Sequence, residues 1–485
     1  MDAYGYGRLT RRDFVRDALK LGVSVSGAAA LLSACQRGTH QSAPTKLAGR
    51  VQILVGFDGG NTAPQRQVQQ ALAQAFIAAH PRVGIDFLRA TSAAAAETQL
   101  AALIARGSAP DIVLGIGLGE VSRLVDRHLW LDLQGLIHRD GVATSAFQSQ
   151  AAAAAALPSY YGRTKAVPGL PLGFHDHALA YNADLFSQAG VQPPPVSWSD
   201  NSWLLTGSFL QAAQALTVDS DGKHAGQAGF DISKVTRFGA ARFRPEASLF
   251  SFGGHLYDPA KRQAILDAPA AVAGAQFAAD LVNRYHVHPN AAQVAQLAPG
   301  AAPGNEELAA WRAGKLAMID LCSCELDSPF ASQVPFAWRA APLPAGPARR
   351  FNFLEVSLGT IVAASAHHDL AWEVLKFFAV EPARERELSY GGFGVMAGLT
   401  ANGDAFPLGI KQAVGVDPAV WVAGLPGASA ENDAWLPAFA DVHDLMSAAF
   451  GQIVGGANPA TVMPQLQQQA QAKIDAWFKA NQLPR

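Results

Sequence analysis

Three short apolar runs, each followed by a stretch with helical spacing, constrain this chain more than anything else in it. Val51-Gln52-Ile53-Leu54-Val55-Gly56-Phe57 reads as a buried strand closed by Asp58-Gly59-Gly60-Asn61. Val83 to Leu88 and Asp111 to Gly115 repeat the pattern. Between them, residues 64–79 place Val68, Leu72, Phe76 and Ile77 on one helical stripe, and residues 95–106 form a second helix. His80-Pro81 and Arg106-Gly107-Ser108-Ala109-Pro110 end these helices. Strand, helix, strand, helix, strand implies right-handed crossovers and a mostly parallel α/β sheet. Ligands on such sheets bind beyond the carboxyl ends of the strands. Phe57–Asn61 and Gly115–Glu120 are therefore candidate site loops by topology alone.

A chain of 485 residues exceeds one ordinary core, so two or more lobes are expected. It is 49% hydrophobic and 16% charged, a globular balance. Its 37 basic and 39 acidic residues form no basic stripe, which argues against a nucleic-acid partner.

Residues 8–35 predict where the protein works. Thr10-Arg11-Arg12-Asp13-Phe14-Val15 is a paired-arginine signal, the mark of Tat export. The apolar run from Leu21 to Ala34 has about 14 residues, where a bilayer crossing needs about 20. It ends at Leu32-Ser33-Ala34-Cys35, which resembles a lipobox and makes Cys35 the expected lipidated first residue of the mature chain. Residues 1–34 then form the signal peptide and 35–49 a flexible tether. Removing five basic and three acidic leader residues takes the net charge from −2 to −4. Cys322 and Cys324 remain; the export compartment permits a disulfide, but Cys-x-Cys is a tight ring, so both the paired and the free state stay open.

Further on, Ala178 to Asn182 reads as a strand, Asp184–Ala189 as a short helix, and residues up to Leu216, 266–284, 366–390 and 464–478 as helices. Residues 398–435, rich in Gly, Pro and Asn, are expected to form a long surface excursion.

Six segments in order now resemble the extracellular solute-binding proteins of ABC importers. They are most similar to the carbohydrate-binding, maltose-binding-protein-like group, with glycerol-3-phosphate-binding members beside it. The segments are Ala109-Pro110-Asp111-Ile112-Val113, Ala180 to Gly190, Pro194 to Trp198, Leu249 to Gly254, Trp311 to Met318 and Ala341 to Pro347. The resemblance covers residues 50–480. It implies a two-lobe periplasmic-binding-protein fold, each lobe a mostly parallel sheet flanked by helices, joined by hinge crossings. Lobe 1 would be 50–172 plus 340–382, and lobe 2 would be 173–339 plus 383–485. It also implies a ligand in the cleft, hinge closure, docking on a permease, and no catalysis or cofactor.

A sugar site needs aromatic faces for the C–H surfaces and polar groups for the hydroxyls. Carried over by resemblance, the first loop offers Phe57, Asp58 and Asn61, and the third-strand loop offers Glu120. Asp58 reads equally as an Asx turn and Glu120 as a first-turn helix acid. Pro171 to His177 is the sharpest constellation. Strand alternation puts His175 and His177 on one face and Asp176 on the other. Cleft hydrogen bonding, structural contacts and a metal pair are all open readings of those residues, and no metal is assigned. Phe252, Gly253, Glu325, Glu355, Tyr390 and Phe393 complete the candidate contacts, each with packing as its alternative.

The expected function is a lipid-anchored receptor for a sugar, acting as a monomer with a permease and its ATPase. One alternative is a glycerol-3-phosphate or glycerophosphodiester receptor using Arg237, Arg242 and Arg244. Another is an exported metal-dependent hydrolase built on His175, Asp176 and His177. Gly-x-Ser-x-Gly, Walker A and H-E-x-x-H are absent from the sequence.

Overall fold

The computed structural model describes residues 47–125, 128–148, 167–302, 304–326, 334–414, 417–429 and 436–480. The leader, Cys35 and most of the tether lie outside the described residues.

Eight strands form one sheet: β1 (Gly49–Val55), β2 (Val83–Arg89), β3 (Ile112–Gly117), β4 (Gly169–Asn182), β5 (Met318–Cys322), β6 (Trp338–Ala341), β7 (Leu354–Ile361) and β8 (Met396–Ala397). The order is β6-β4-β7-β3-β1-β2, with β5 and β8 also paired to β4. β1 runs parallel to β2 and β3, as the strand–helix alternation requires. The pairs made by β4 and β7 are antiparallel, so the whole sheet is mixed. Ile53, Leu54 and Val55 have no exposed surface, because both faces of β1 are covered.

Helix α1 (Ala63–Ala79) starts where Thr62 accepts from the Gln65 backbone N–H and Gln65 answers on the Thr62 N–H, a capping box. Leu72 and Phe76 are its buried stripe, each contributing about 1.5–3 kcal/mol by burial. Helix α2 (Ala93–Ala105) is capped by Ser92, and α3 (Leu118–Val125) follows β3 without a gap.

β4 positions the site. It has 14 residues, all buried. Its first half pairs with β7, with Glu355 opposite His175. Its second half pairs with β5, with Cys322 opposite His177. One strand thus carries the chain from one packed region to another, and His175–His177 lie at the changeover.

Residues 398–435 differ from the expected surface excursion. They contain a helix over Ala405–Val414 and another, α4 (Ala419–Gly424). Phe406, Ile410 and Trp421 are fully or almost fully buried, and the Trp421 indole donates to the Leu321 carbonyl at 3.0 Å. Pro407 and Gly409 lie within the first of these helices, and Pro418 and Gly424 at the ends of the second, so turn composition concealed the apolar stripes. Helices α5 (Phe439–Val454) and α6 (Pro459–Ala480) pack together and close the chain. Among the described residues, no helix is long and apolar enough to cross a membrane.

Candidate functional site

The loop after β1 is held in place before any ligand is considered. The Asp58 N–H donates to the Gly115 carbonyl at 3.0 Å, which ties the β1 and β3 loops together. Gly60 and Gly115 have φ of +78° and +70°, and a Cβ on either would strike the Phe393 ring. The Gln69 amide donates to the carbonyls of Gly60 and Gly392, both at 2.9 Å. Phe393, nominated as a ligand contact, is thus a buried prop beneath the loops.

Above this support lies a cleft of about 240 Å³, lined by Phe57, Asp58, Gly117, Leu118, Gly119, Glu120, His175, Glu355, Val356, Phe439 and His443. It is smaller than most ligand sites, which run from roughly 300 to 1,000 Å³. Five residues nominated from sequence meet here: Phe57, Asp58, Glu120, His175 and Glu355. They arrive from the ends of β1 and β3 and from the paired strands β4 and β7.

The other nominees stand elsewhere. The Asn61 amide donates to the Ala90 carbonyl and its oxygen accepts from Arg89, so it braces the loop. Asp176 points to the opposite face of β4, where Asn352 donates to it at 3.2 Å. Burial pushes its carboxyl well above the usual range. Both Glu325 oxygens accept from Arg242 at 2.8 Å. Phe252 packs on Phe277, ring centroids 5.5 Å apart. Gly253 has φ of +88° and faces Ala348. Tyr390 packs edge-on against Phe406 at 6.1 Å.

Sequence reasoning missed two cleft residues from the start of α5. Phe439 and His443 are one helical turn apart, and their rings stack at 5.3 Å. Their i, i+4 spacing is visible in sequence, but nothing local says that α5 returns to the β1 and β3 loops.

The centre is a chain of charged groups. His175 Nε2 is 3.6 Å from Asp58 Oδ2. His177 Nδ1 is 2.8 Å from Asp320 Oδ1, and its Nε2 is 3.6 Å from Glu355 Oε1. Arg244 reaches the same Glu355 oxygen at 3.4 Å and lies 4.9 Å over the Phe353 ring. Burial opposes the charged form of His177, yet Asp320 and Glu355 outweigh it and push the imidazole up to about 9. His175 is raised too, against burial, by Asp58 and Glu355. Glu355 is held well below the carboxylate range, because His177, Arg244 and His175 outweigh its burial.

Two groups beside the cleft have metal-ligand chemistry: His175 with Cys322 and Cys324, and His177 with Cys322 and Glu355. The two sulfurs are joined in a disulfide, with Cα atoms 5.2 Å apart.

Comparison with known proteins fits this architecture. A family model described as bacterial extracellular solute-binding protein matches residues 59–385. No curated relative matches the chain. Among solved structures, UspC of M. tuberculosis has 23% identity and a TM-score of 0.65, covering 88% of this chain and 100% of its own. An ABC substrate-binding protein of Listeria monocytogenes in complex with cycloalternan has 15% identity and a TM-score of 0.65, with 90% and 100% covered. UgpB of Mycobacterium tuberculosis in complex with glycerophosphocholine has 17% identity and a TM-score of 0.65, with 89% and 100% covered. At these identities the likeness is one of fold: the two-lobe architecture of periplasmic binding proteins.

Proposed function

This chain belongs to the bacterial extracellular solute-binding protein family, and on that premise we propose that it is the substrate receptor of an ABC importer for a sugar or sugar-like polyol. The carrying observation is the chemistry of the cleft wall. Three carboxylates, Asp58, Glu120 and Glu355, stand beside two aromatic rings, Phe57 and Phe439, and two imidazoles, His175 and His443. Carboxylates and imidazoles pair with hydroxyl groups, and the rings offer flat apolar faces for C–H surfaces. Buried polar partners then reject a guest lacking the matching hydroxyl, because one of them is left unpaired.

No Arg or Lys lines the cleft among the described residues, which argues against a phosphate guest. The arginines proposed for that role have other partners. Arg237 donates to the Leu216 carbonyl at 3.0 Å, Arg242 Nη1 donates to both Glu325 oxygens, and Arg244 reaches Glu355.

In this reading lobe 1 (50–172 plus 340–382) and lobe 2 (173–339 plus 383–485) close on the guest about the crossing at β4. The closed form docks on the permease and releases the guest chemically unchanged. Tat export and lipidation of Cys35 hold the receptor, a monomer, outside the membrane.

A thermal-shift screen tests the proposal. Guest-free protein is heated with mono- and disaccharides, with sn-glycerol 3-phosphate and with glycerophosphocholine. A guest at a hundred times its Kd adds about 2.7 kcal/mol of stability. We expect a neutral sugar to raise the melting temperature and to be recovered intact. A rise with the phosphates alone, or cleavage of the sugar, overturns it.

A further inference from the structure

His177 and Cys322 are register partners on adjacent antiparallel strands, and His175 lies two residues away on the same face of β4. His175, Cys322 and Cys324 bring ligand atoms within 4.8 Å of one another, and so do His177, Cys322 and Glu355. Cys322 belongs to both sets, so the two groups adjoin at its sulfur.

The imidazoles have the setting of metal ligands. Each has a carboxylate beside one ring nitrogen and a buried nitrogen that makes no hydrogen bond, although the bare Nε2 of His177 also stands 3.6 Å from Glu355. His177 Nδ1 is backed by Asp320 at 2.8 Å, and its Nε2 has no hydrogen bond. His175 Nε2 faces Asp58 at 3.6 Å, and its Nδ1 has none. The residues are 1% and 4% exposed, so the bare nitrogens are not repaid by bulk water. A carboxylate behind one nitrogen fixes the tautomer and orientation that ligation by the other requires.

We propose that reduction of the Cys322–Cys324 disulfide opens a site for a borderline-soft divalent ion of the zinc class. Cys322, Cys324 and His175 would hold the ion, and His177, which now reaches Cys322 but is not grouped with Cys324 and His175, would turn in as the fourth ligand once the disulfide opens. In the oxidised chain both sulfurs are spent on each other and the site has no thiolate. A dithiol or phosphine reductant supplies the electron pair that breaks the S–S bond, and two protons make the two thiols; the reductant leaves as its cyclic disulfide or as the phosphine oxide, whose oxygen comes from water. The ion then displaces the thiol protons and any imidazolium proton, and two thiolates balance its double charge. Thiolate and imidazole together favour zinc over magnesium or calcium, which take oxygen ligands. The cluster stands independently of which solute the cleft binds.

The test uses the full chain, stripped with a chelator, reduced with a phosphine and titrated with Co2+ without oxygen at pH 8. We expect one equivalent of Co2+ to give thiolate-to-cobalt charge-transfer absorption, to be displaced by Zn2+, and to give no such absorption with the disulfide form. Cys322→Ser with Cys324→Ser should abolish the signal. His177→Ala and Asp320→Asn, which keep both thiols, should weaken binding about ten- to a hundredfold. Circular dichroism confirms that each variant is folded, and if the double serine variant is not, the other two decide. The proposal is overturned if the reduced chain gives no charge-transfer band, if both of those variants bind as tightly as the parent, or if phosphine does not open the disulfide in the folded protein.

Discussion

His175 Nε2 stands 3.6 Å from Asp58 Oδ2, joining the middle of the long shared strand to the loop after the first strand. Neither residue is near the other in sequence, and both line the cleft. On the proposed reading each meets a guest hydroxyl.

Truncating either partner should cost affinity. Asp58→Ala and His175→Ala are each expected to weaken binding of the identified sugar by about 1–3 kcal/mol, because a guest hydroxyl loses its hydrogen-bond partner. Isothermal calorimetry reads this directly. Unaltered affinity in both variants would remove them from the site.

Phe439 offers the aromatic face contributed by the far end of the chain. Phe439→Leu retains most of the buried volume and removes the ring. We expect affinity to fall by about 1 kcal/mol while the unfolding free energy changes by less than about 1.5 kcal/mol. A variant that binds as well as the parent would show that the ring packs without touching the guest.

Gly115 shapes the loop through its backbone. Its φ is +70°, and a Cβ at this position would lie 2.1 Å from the Phe393 ring, so there is no room for a side chain. Gly115→Ala should cost about 2 kcal/mol or more of stability in denaturant unfolding. A midpoint equal to the parent's would contradict this account of the Phe393 prop.

Glu385 should make stability depend on pH. Its carboxylate accepts from the Gly398 and Leu399 N–H groups and from the Asn402 amide. Burial nevertheless raises its pKa from 4.5 to about 7. The folded chain then binds more protons than the unfolded one between those values, so this contribution is present at low pH and lost as pH rises through about 7. Between pH 5 and pH 8 the loss should be about 2 kcal/mol. Glu385→Gln should remove that part of the slope, measured by denaturant unfolding at both pH values. Equal slopes in parent and variant would refute it.

How legible the site was in sequence depended on whether its signals were local. Asp58 and Glu120 could be nominated because strand ends on a parallel sheet are where sites form, and β1 and β3 are apolar throughout their buried stretches. His175 and Glu355 follow from the positions that the family resemblance assigns to the crossing at 171–177 and to 353–359, and the register brings them opposite each other. Asn61, Glu325 and Phe393 follow from the same resemblance, yet their contacts are with Ala90, Arg242 and the loop glycines. A motif places a segment near a cleft but does not say which way each side chain turns.

By itself the sequence determined the strand–helix alternation, the breaks that end each helix, and the residue types available for hydroxyl chemistry, because these depend on neighbours a few positions apart. Only the tertiary structure decided that α5 brings Phe439 and His443 to the first loops, that Asp320 backs His177, and that Cys322 faces His177 across two strands. Those juxtapositions join distant parts of the chain through strand register and helix packing, and no short-range pattern of residues encodes them.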